Sequence, residues 1–177
     1  VTSPIIITWT ASDDAKYTYL YYRYGETGDW HDVTFSSARS GTFEFEPTDG
    51  DGHYYFATVA MDEAGNAEAI ASDGKALTIY DTTPPTSEAT SPAEWDEFAF
   101  TVEWTGDDTA VGSGIAFFDV QVKIGDDGEW TDWLTHTTET SATYTAVYVD
   151  EPDALYHFRS RATDNAGHIE DLSLIHI

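Results

Sequence analysis

The sequence contains no cysteine, and this absence excludes disulfide bonds, thiol chemistry and cysteine-based zinc sites. Basic residues are scarce, because 7 lysines and arginines stand against 33 acids, for a formal net charge of −26. Such a surface cannot form a patch that neutralises phosphates, so nucleic acid is excluded as a partner. No apolar run approaches the length of a membrane span, so direct membrane insertion of this chain is not expected.

Catalytic motifs are also missing from the chain. We find no H-E-x-x-H, no G-x-S-x-G and no phosphate-binding Gly-Lys loop. The histidines show no spacing typical of metal ligands. Close pairs of acids are abundant, but with so many acids such pairs arise by chance and do not indicate a glycosidase. The sequence therefore predicts a protein that is not an enzyme.

The acids that are present allow two interpretations. One is a hydrated, soluble surface suited to a saline medium. The other is a set of dedicated Ca²⁺ sites, because this cation prefers about six to eight oxygen ligands. Aromatic residues make up 15% and hydrophobic residues 41% of the chain, which is enough for packed cores.

Three motifs occur twice, about 100 residues apart. They pair ITWTASDD (7–14) with VEWTGDD (102–108), RYGETGDW (23–30) with KIGDDGEW (123–130), and DEAGN (62–66) with DNAGH (164–168). The spacing differs only by insertions between the motifs, which is what a duplicated fold tolerates in its loops. We therefore predict one fold built twice, with domains at 1–81 and 86–171 joined by a proline linker at 82–85.

Within each copy, apolar residues alternate with period 2, which predicts β-strands. Short turn signals separate these segments, and no segment has helical periodicity. About seven short strands per copy predict an all-β chain of two tandem Greek-key β-sandwiches. The residues expected to have structural roles are Trp9, Trp104, Tyr54, Tyr156, Phe56, Phe158, Gly65 and Gly167.

An early strand tryptophan, a Tyr-x-Phe strand and a closing D-x-A-G-N turn recur in both copies, and the connector reads YDTTPPTS (80–87). In these features the chain resembles fibronectin type III-like or Ig-like repeats of bacterial and archaeal surface proteins. The resemblance implies that Asp62 and Asp164 close strand F, that Gly65 and Gly167 supply positive φ, and that the aspartates brace the turn. It also implies an exported protein at a prokaryotic cell surface or in the medium.

Both ends of the chain are expected to be truncated. The first copy begins almost at its second strand, so we expect its strand A to be incomplete, and we expect strand G of the second copy to be missing. Residues 172–177, LSLIHI, back-translate to a transposon end used in sequencing libraries. We expect this tail to be adapter-derived and non-native, as in a metagenomic fragment, and the alternative is a short genuine strand.

Aspartates cluster where sandwich loops of one end are expected to meet. The B–C and F–G loops would bring Asp107, Asp108 and Asp164 close to Asp81 of the connector, forming a Ca²⁺ site that stiffens the joint. The first copy offers the matching loop residues Asp13, Asp14 and Asp62. The alternative is that these acids are solvated loop residues and turn braces.

Aromatic residues suggest a second kind of ligand. Tyr19 and Tyr21 are expected on the outward face of strand C, with Trp30 near the next strand, where such rings could stack on sugars. The alternative is cross-strand packing. The sequence thus predicts a structural spacer whose partners are neighbouring modules, with calcium as an open cofactor. The other reading is a carbohydrate-binding accessory region, with a polysaccharide or another surface protein as partner.

Overall fold

The computed structural model describes residues 4–70, 76–94, 98–146 and 155–171. The chain divides into two compact units, Val1–Asp81 and Thr82–Ile177, which are described here one at a time. Every regular element among the described residues is a β-strand. None of those residues belongs to a helix long and apolar enough to cross a membrane. The predicted adapter-derived tail, 172–177, lies outside the described residues.

In the part of the first unit that the structure describes, six strands form two antiparallel sheets. One sheet pairs β1 with β4, and the other has the order β3-β2-β5-β6. The strands are β1 (Ile5–Thr10), β2 (Ala15–Tyr24), β3 (His31–Ser36), β4 (Ser40–Phe45), β5 (Gly52–Asp62) and β6 (Ala76–Tyr80).

The core of the first unit lies between these sheets, because alternate side chains of each strand point inward. Trp9 of β1 stacks on Phe43 of β4 with ring centroids 5.1 Å apart. Tyr54 is fully buried, and its hydroxyl donates to the Gly50 carbonyl at 2.9 Å while accepting the Asp49 amide at 3.0 Å. Burial raises the pKa of Tyr54 to about 12, so this hydroxyl keeps its proton. The buried cluster comprises Ile7, Trp9, Leu20, Phe43, Phe45, Tyr54 and Phe56.

The described residues of the second unit also form six strands in two antiparallel sheets. Their orders are β11-β8-β7 and β10-β9-β12. The strands are β7 (Thr86–Thr90), β8 (Ala99–Asp107), β9 (Ile115–Ile124), β10 (Thr131–Thr137), β11 (Ser141–Thr145) and β12 (Tyr156–Asp164).

The core of the second unit is centred on Trp104. Its ring is almost fully buried, and its indole N–H donates to the Glu139 carbonyl at 2.7 Å. Trp133 packs edge-on against it with centroids 6.1 Å apart. The half-buried Tyr156 and Phe158 of β12 pack against the buried cluster, which comprises Phe100, Val102, Trp104, Phe118, Val120, Val122, Tyr144 and Ala162.

Five strands of each unit correspond in order and pairing. The pair β1–β4 matches β8–β11, and the sheet β3-β2-β5 matches β10-β9-β12. The chain crosses from one sheet to the other after β1, β3 and β4 in the first unit and after β8, β10 and β11 in the second. This is Greek-key connectivity, and the predicted all-β sandwich fold is confirmed. Among the described residues, β6 has no counterpart in the second unit, and β7 has no counterpart in the first. The predicted truncation of both ends stays a prediction.

Candidate functional site

The recurring D-x-A-G turn closes β5 in the first unit and β12 in the second. Asp62 accepts the Asn66 amide at 2.8 Å, and Asp164 accepts the His168 amide at 2.8 Å. Each turn needs a left-handed residue, and the glycine before Asn66 or His168 supplies it with φ of 87° at Gly65 and 93° at the matching Gly167. These carboxylates therefore brace the backbone of their own turns.

The two aspartates differ in their surroundings. The Asn66 side chain also donates to Asp62 at 2.8 Å, and the hydrogen bonds from Asn66 lower the pKa of Asp62 below its usual value. Asp164 is buried, and its second oxygen lies 3.0 Å from the His168 ring nitrogen Nδ1. Both turns have exposed backbones, but the Asp164 side chain is buried, whereas that of Asp62 is partly exposed.

Sequence reasoning missed a glutamate that follows each turn. The Glu68 amide donates to the Ala60 carbonyl, and the Glu170 amide donates to the Ala162 carbonyl, both at 3.0 Å. The carboxylates then fold back, so that the Ala60 amide donates to Glu68 at 3.1 Å and the Ala162 amide to Glu170 at 2.9 Å. The sequence feature that could have identified these residues is the glutamate at the same position in DEAGNAE and DNAGHIE.

In the second unit, the loop after β8 and the turn after β12 are in contact. The Asn165 amide donates to the Gly114 carbonyl at 2.9 Å. Asp108 closes its own loop, because its carboxylate accepts the Gly114 amide at 2.6 Å and the Thr109 amide at 2.9 Å. Asp107 is exposed at the end of β8. The loops after β8 and β12 are the predicted B–C and F–G loops, and they therefore lie at the same end of the second unit. Asp108 braces the loop after β8.

The matching loop acids of the first unit are exposed. Asp13 lies 3.5 Å from the Arg39 guanidinium, and Asp14 accepts the Ser12 hydroxyl. Asp81 follows β6 directly as the last residue of the first unit.

The predicted calcium donors do not converge inside a unit. Within either unit alone, no three described side chains of His, Asp or Glu bring ligand atoms within 4.8 Å of one another. Calcium binding, including the expected role of Asp81, therefore stays a prediction.

The outer face of β2 carries a row of aromatic side chains. The Tyr17 and Tyr19 rings both contact Phe35 of β3, with centroids 5.4 and 5.5 Å apart. Phe35 is 57% exposed, although it is apolar. Tyr21 continues the row, because alternate residues of a strand share a face. We call Tyr17, Tyr19, Tyr21 and Phe35 the aromatic row.

Trp30 has different neighbours from the aromatic row. The Arg23 guanidinium lies 5.0 Å from the centroid of the Trp30 ring and 4.7 Å from that of Tyr55. Trp30 therefore takes part in a cation–π stack. The structure places the predicted sugar-stacking residues in two groups, Tyr19 and Tyr21 in the row and Trp30 in the stack.

The same face of the second unit carries polar side chains that pair with one another, beside a single aromatic residue of β9, Phe117. Asp119 of β9 lies opposite Arg161 of β12, 2.9 Å from its guanidinium, and also accepts the His136 amide at 3.1 Å. Burial raises the pKa of Asp119, but the hydrogen bonds from Arg161 and His136 outweigh it, so that its pKa is lowered. Arg159 donates to Gln121 at 2.7 Å and stacks over a tryptophan ring. The aromatic row is thus a feature of the first unit.

No protein-family model matches the sequence, and no curated protein matches it. Among solved structures, the chain is similar to the fibronectin(III)-like modules of CbhA from Clostridium thermocellum, at 15% identity and a TM-score of 0.39 over 96% of this chain and 81% of that chain. It is also similar to the FN1–FN3 domains of chicken CNTN1, at 12% identity and a TM-score of 0.32 over 94% of this chain and 59% of that chain. The assignment of the fold rests on the strand order described above.

Proposed function

We propose that this chain is a non-catalytic structural part of a longer exported multidomain protein, in which its two sandwiches space or present other modules at a prokaryotic cell surface. This proposal is based on the structural roles of the residues that recur in both copies. Asp62 and Asp164 brace turns, and Trp9 and Trp104 fill cores. The residues that recur in both copies therefore have structural roles in the fold.

The charge supports the same function. A net charge of −26 keeps a surface hydrated and discourages association with other acidic surfaces. Neighbouring modules of the same polypeptide are the expected partners, and a saline medium would screen the repulsion among the acids.

Force spectroscopy on the full chain tests the spacer function. We expect two separate unfolding events, because each unit has its own core. Each event should release roughly 30 nm of chain, at about 3.5 Å per residue. Extension without a force peak would contradict a load-bearing spacer.

Calcium stiffening is a separate part of the proposal. Thermal unfolding of the full chain in EDTA, in millimolar Ca²⁺ and in NaCl of equal ionic strength tests it, because a ligand that binds only the folded state raises stability. We expect a rise with Ca²⁺ that Asp107→Asn abolishes and that Asp29→Asn, a control in another loop, leaves unchanged. An equal rise in NaCl would show general screening and would contradict specific binding.

A carbohydrate-binding role is the second candidate, and the aromatic row is the observation that favours it. Neutral polysaccharide is the expected class, since the acidic surface repels anionic polymers. Affinity electrophoresis should show retardation that Phe35→Ala reduces. The control is Phe117→Ala, because Phe117 matches Tyr17 but stacks on His136, with ring centroids 4.3 Å apart. Equal migration of all three proteins with and without polysaccharide would contradict this role.

A further inference from the structure

An open cleft of about 410 Å³ lies at one end of the second unit. It is bordered by the end of β8, the start of β9 and the turn from β10 to β11. The floor is apolar, and its residues, which are half-buried or buried, are Ile115, Ala116 and Phe118. The rim carries three exposed threonines, Thr105, Thr138 and Thr140. Sites for small ligands have volumes of about 300–1,000 Å³, so the cleft is large enough to hold one.

Gly106, at the end of β8, determines the shape of the floor. A Cβ atom at this position would lie 2.7 Å from the ring of Phe118 and 3.3 Å from the side chain of Ile115. Because glycine has no side chain, both apolar side chains can lie directly against the end of β8. The first unit has Thr18 where the second has Phe118, so the apolar floor is a feature of the second unit.

In the first unit, an arginine lies at the place that matches the rim of this cleft. In the registers of β1 with β4 and of β8 with β11, Arg39 corresponds to Thr138. The Arg39 guanidinium donates to the carbonyl of Ser12 at 3.2 Å and to that of Asp13, both in the loop after β1. It also lies 3.5 Å from the Asp13 carboxylate. This loop thus binds a guanidinium in the first unit, whereas the second unit has a short hydroxyl side chain at the matching position.

The residues that line the cleft include no lysine or arginine. The basic residues of the second unit lie elsewhere on β9 and β12, and they are Lys123, Arg159 and Arg161. Exposed acids adjoin the cleft instead, because Asp107 directly follows Gly106, and Glu139 lies between two of the rim threonines. Acids at the mouth of a cleft raise the local concentration of cations. The surroundings therefore favour a cationic ligand that the second unit does not itself supply.

We propose that the cleft binds an alkylguanidinium group, supplied by an arginine side chain of another polypeptide. The apolar floor accommodates the aliphatic stem, since long basic side chains commonly lay their stems on apolar surfaces. The hydroxyls of the rim and the backbone carbonyls of the loop after β8 accept hydrogen bonds from the guanidinium, which is a planar fork of N–H donors. An arginine is the expected source because Arg39 takes the matching place in the first unit.

The test is an NMR titration of the ¹⁵N-labelled full chain with the peptide acetyl-Gly-Arg-Gly-amide, in EDTA and at constant ionic strength. We expect chemical-shift changes at the amides of Gly106, Ala116 and Thr140, with a Kd on the order of 1 mM for so small a ligand. The matching lysine peptide should bind about fivefold more weakly, because an ammonium is a compact, strongly hydrated charge without the planar fork. The matching triglycine peptide should cause no shifts.

Variants of the cleft locate the site. Thr138→Arg places a guanidinium of the chain itself across the cleft, as Arg39 does in the first unit, and should weaken binding about tenfold or more. Thr138→Ser keeps the hydroxyl and leaves the cleft open, so binding should not change. Ala116→Leu fills the floor without changing the charge and should also weaken binding. Amide exchange in β9 and β12 shows whether each variant is folded.

Three outcomes would overturn the proposal. They are an absence of shifts around the cleft up to about ten times the expected Kd, equal shifts with the arginine and triglycine peptides, and binding that Thr138→Arg leaves unchanged. A parallel titration with ethylguanidinium chloride distinguishes the source of the group. Shifts of Gly106 and Thr140 with ethylguanidinium, but not with the arginine peptide, would show a site for a free small cation and would overturn the assignment to a polypeptide.

Discussion

Replacing Glu170 by alanine should destabilise the second unit far more than the same change at Glu68 destabilises the first. Glu170→Ala leaves the amides of Ala162 and Ser87 without their acceptor. A buried polar group without a partner costs about 1–3 kcal/mol. Ala162 is fully buried and Ser87 is half-buried, so the sum should be about 2–4 kcal/mol, a large share of a typical free energy of unfolding.

The matched control is Glu68→Ala. Glu68 is exposed and accepts the Ala60 amide, so water can replace the carboxylate and the loss should be about 1 kcal/mol or less. The two changes remove the same side chain from the same turn, but Glu170 is buried and bonded to Ser87 of β7, whereas Glu68 is exposed.

Native-state amide hydrogen exchange, resolved by NMR in the full chain, measures the free energy of unfolding of each unit separately. Glu170→Ala should lower the protection of β9 and β12 and leave that of β2 and β5 unchanged. Glu170→Gln, which keeps one carbonyl acceptor, should have an intermediate effect. Equal losses for Glu170→Ala and Glu68→Ala would refute the argument that Glu170 holds β7 to β12.

Three further results are expected from the same chain. Leu20→Ala should destabilise the first unit by about 2–5 kcal/mol, because Leu20 is fully buried, and exchange in the second unit should not change. The folded-state pKa of Asp62 is below its usual value of 3.8. The contribution of Asp62 to the free energy of unfolding is therefore complete above pH 3.8 and is lost as the pH falls through the folded-state pKa. Stability measured against pH should show this loss, and Asp62→Asn should remove it. The pKa of Asp119 in the second unit is also lowered, and Arg161→Met should raise it, as measured from the NMR titration curve of Asp119. An unchanged titration of Asp119 would show that the ion pair does not determine that pKa.

Local sequence pattern was sufficient for the strands of both copies. Alternation places Leu20 and Val120 in the cores, as the pattern of their strands predicts, because a strand buried on one face needs an apolar residue at every second position. The turn residues were equally readable, since a tight turn that closes with positive φ restricts its residue types. The surroundings of Trp30 could not be predicted in the same way, because its contact with Arg23 depends on how the chain turns back after β2.

Three features were decided by tertiary structure alone. Glu170 meets a serine 83 residues away in the chain, and no local pattern reports a contact of that range. The aromatic row and the Asp119–Arg161 network occupy the same face of matching sheets, and which of them a face carries depends on cross-strand partners.

The third feature is the use of the loop aspartates. The sequence determined where they lie along the chain, but the hydrogen bonds that occupy the carboxylates of Asp108 and Asp164 form only when the loops have folded. Periodicity and turn chemistry act between near neighbours and therefore remain visible in a sequence. The pairing of side chains across strands and loops depends on distances that only the folded chain creates.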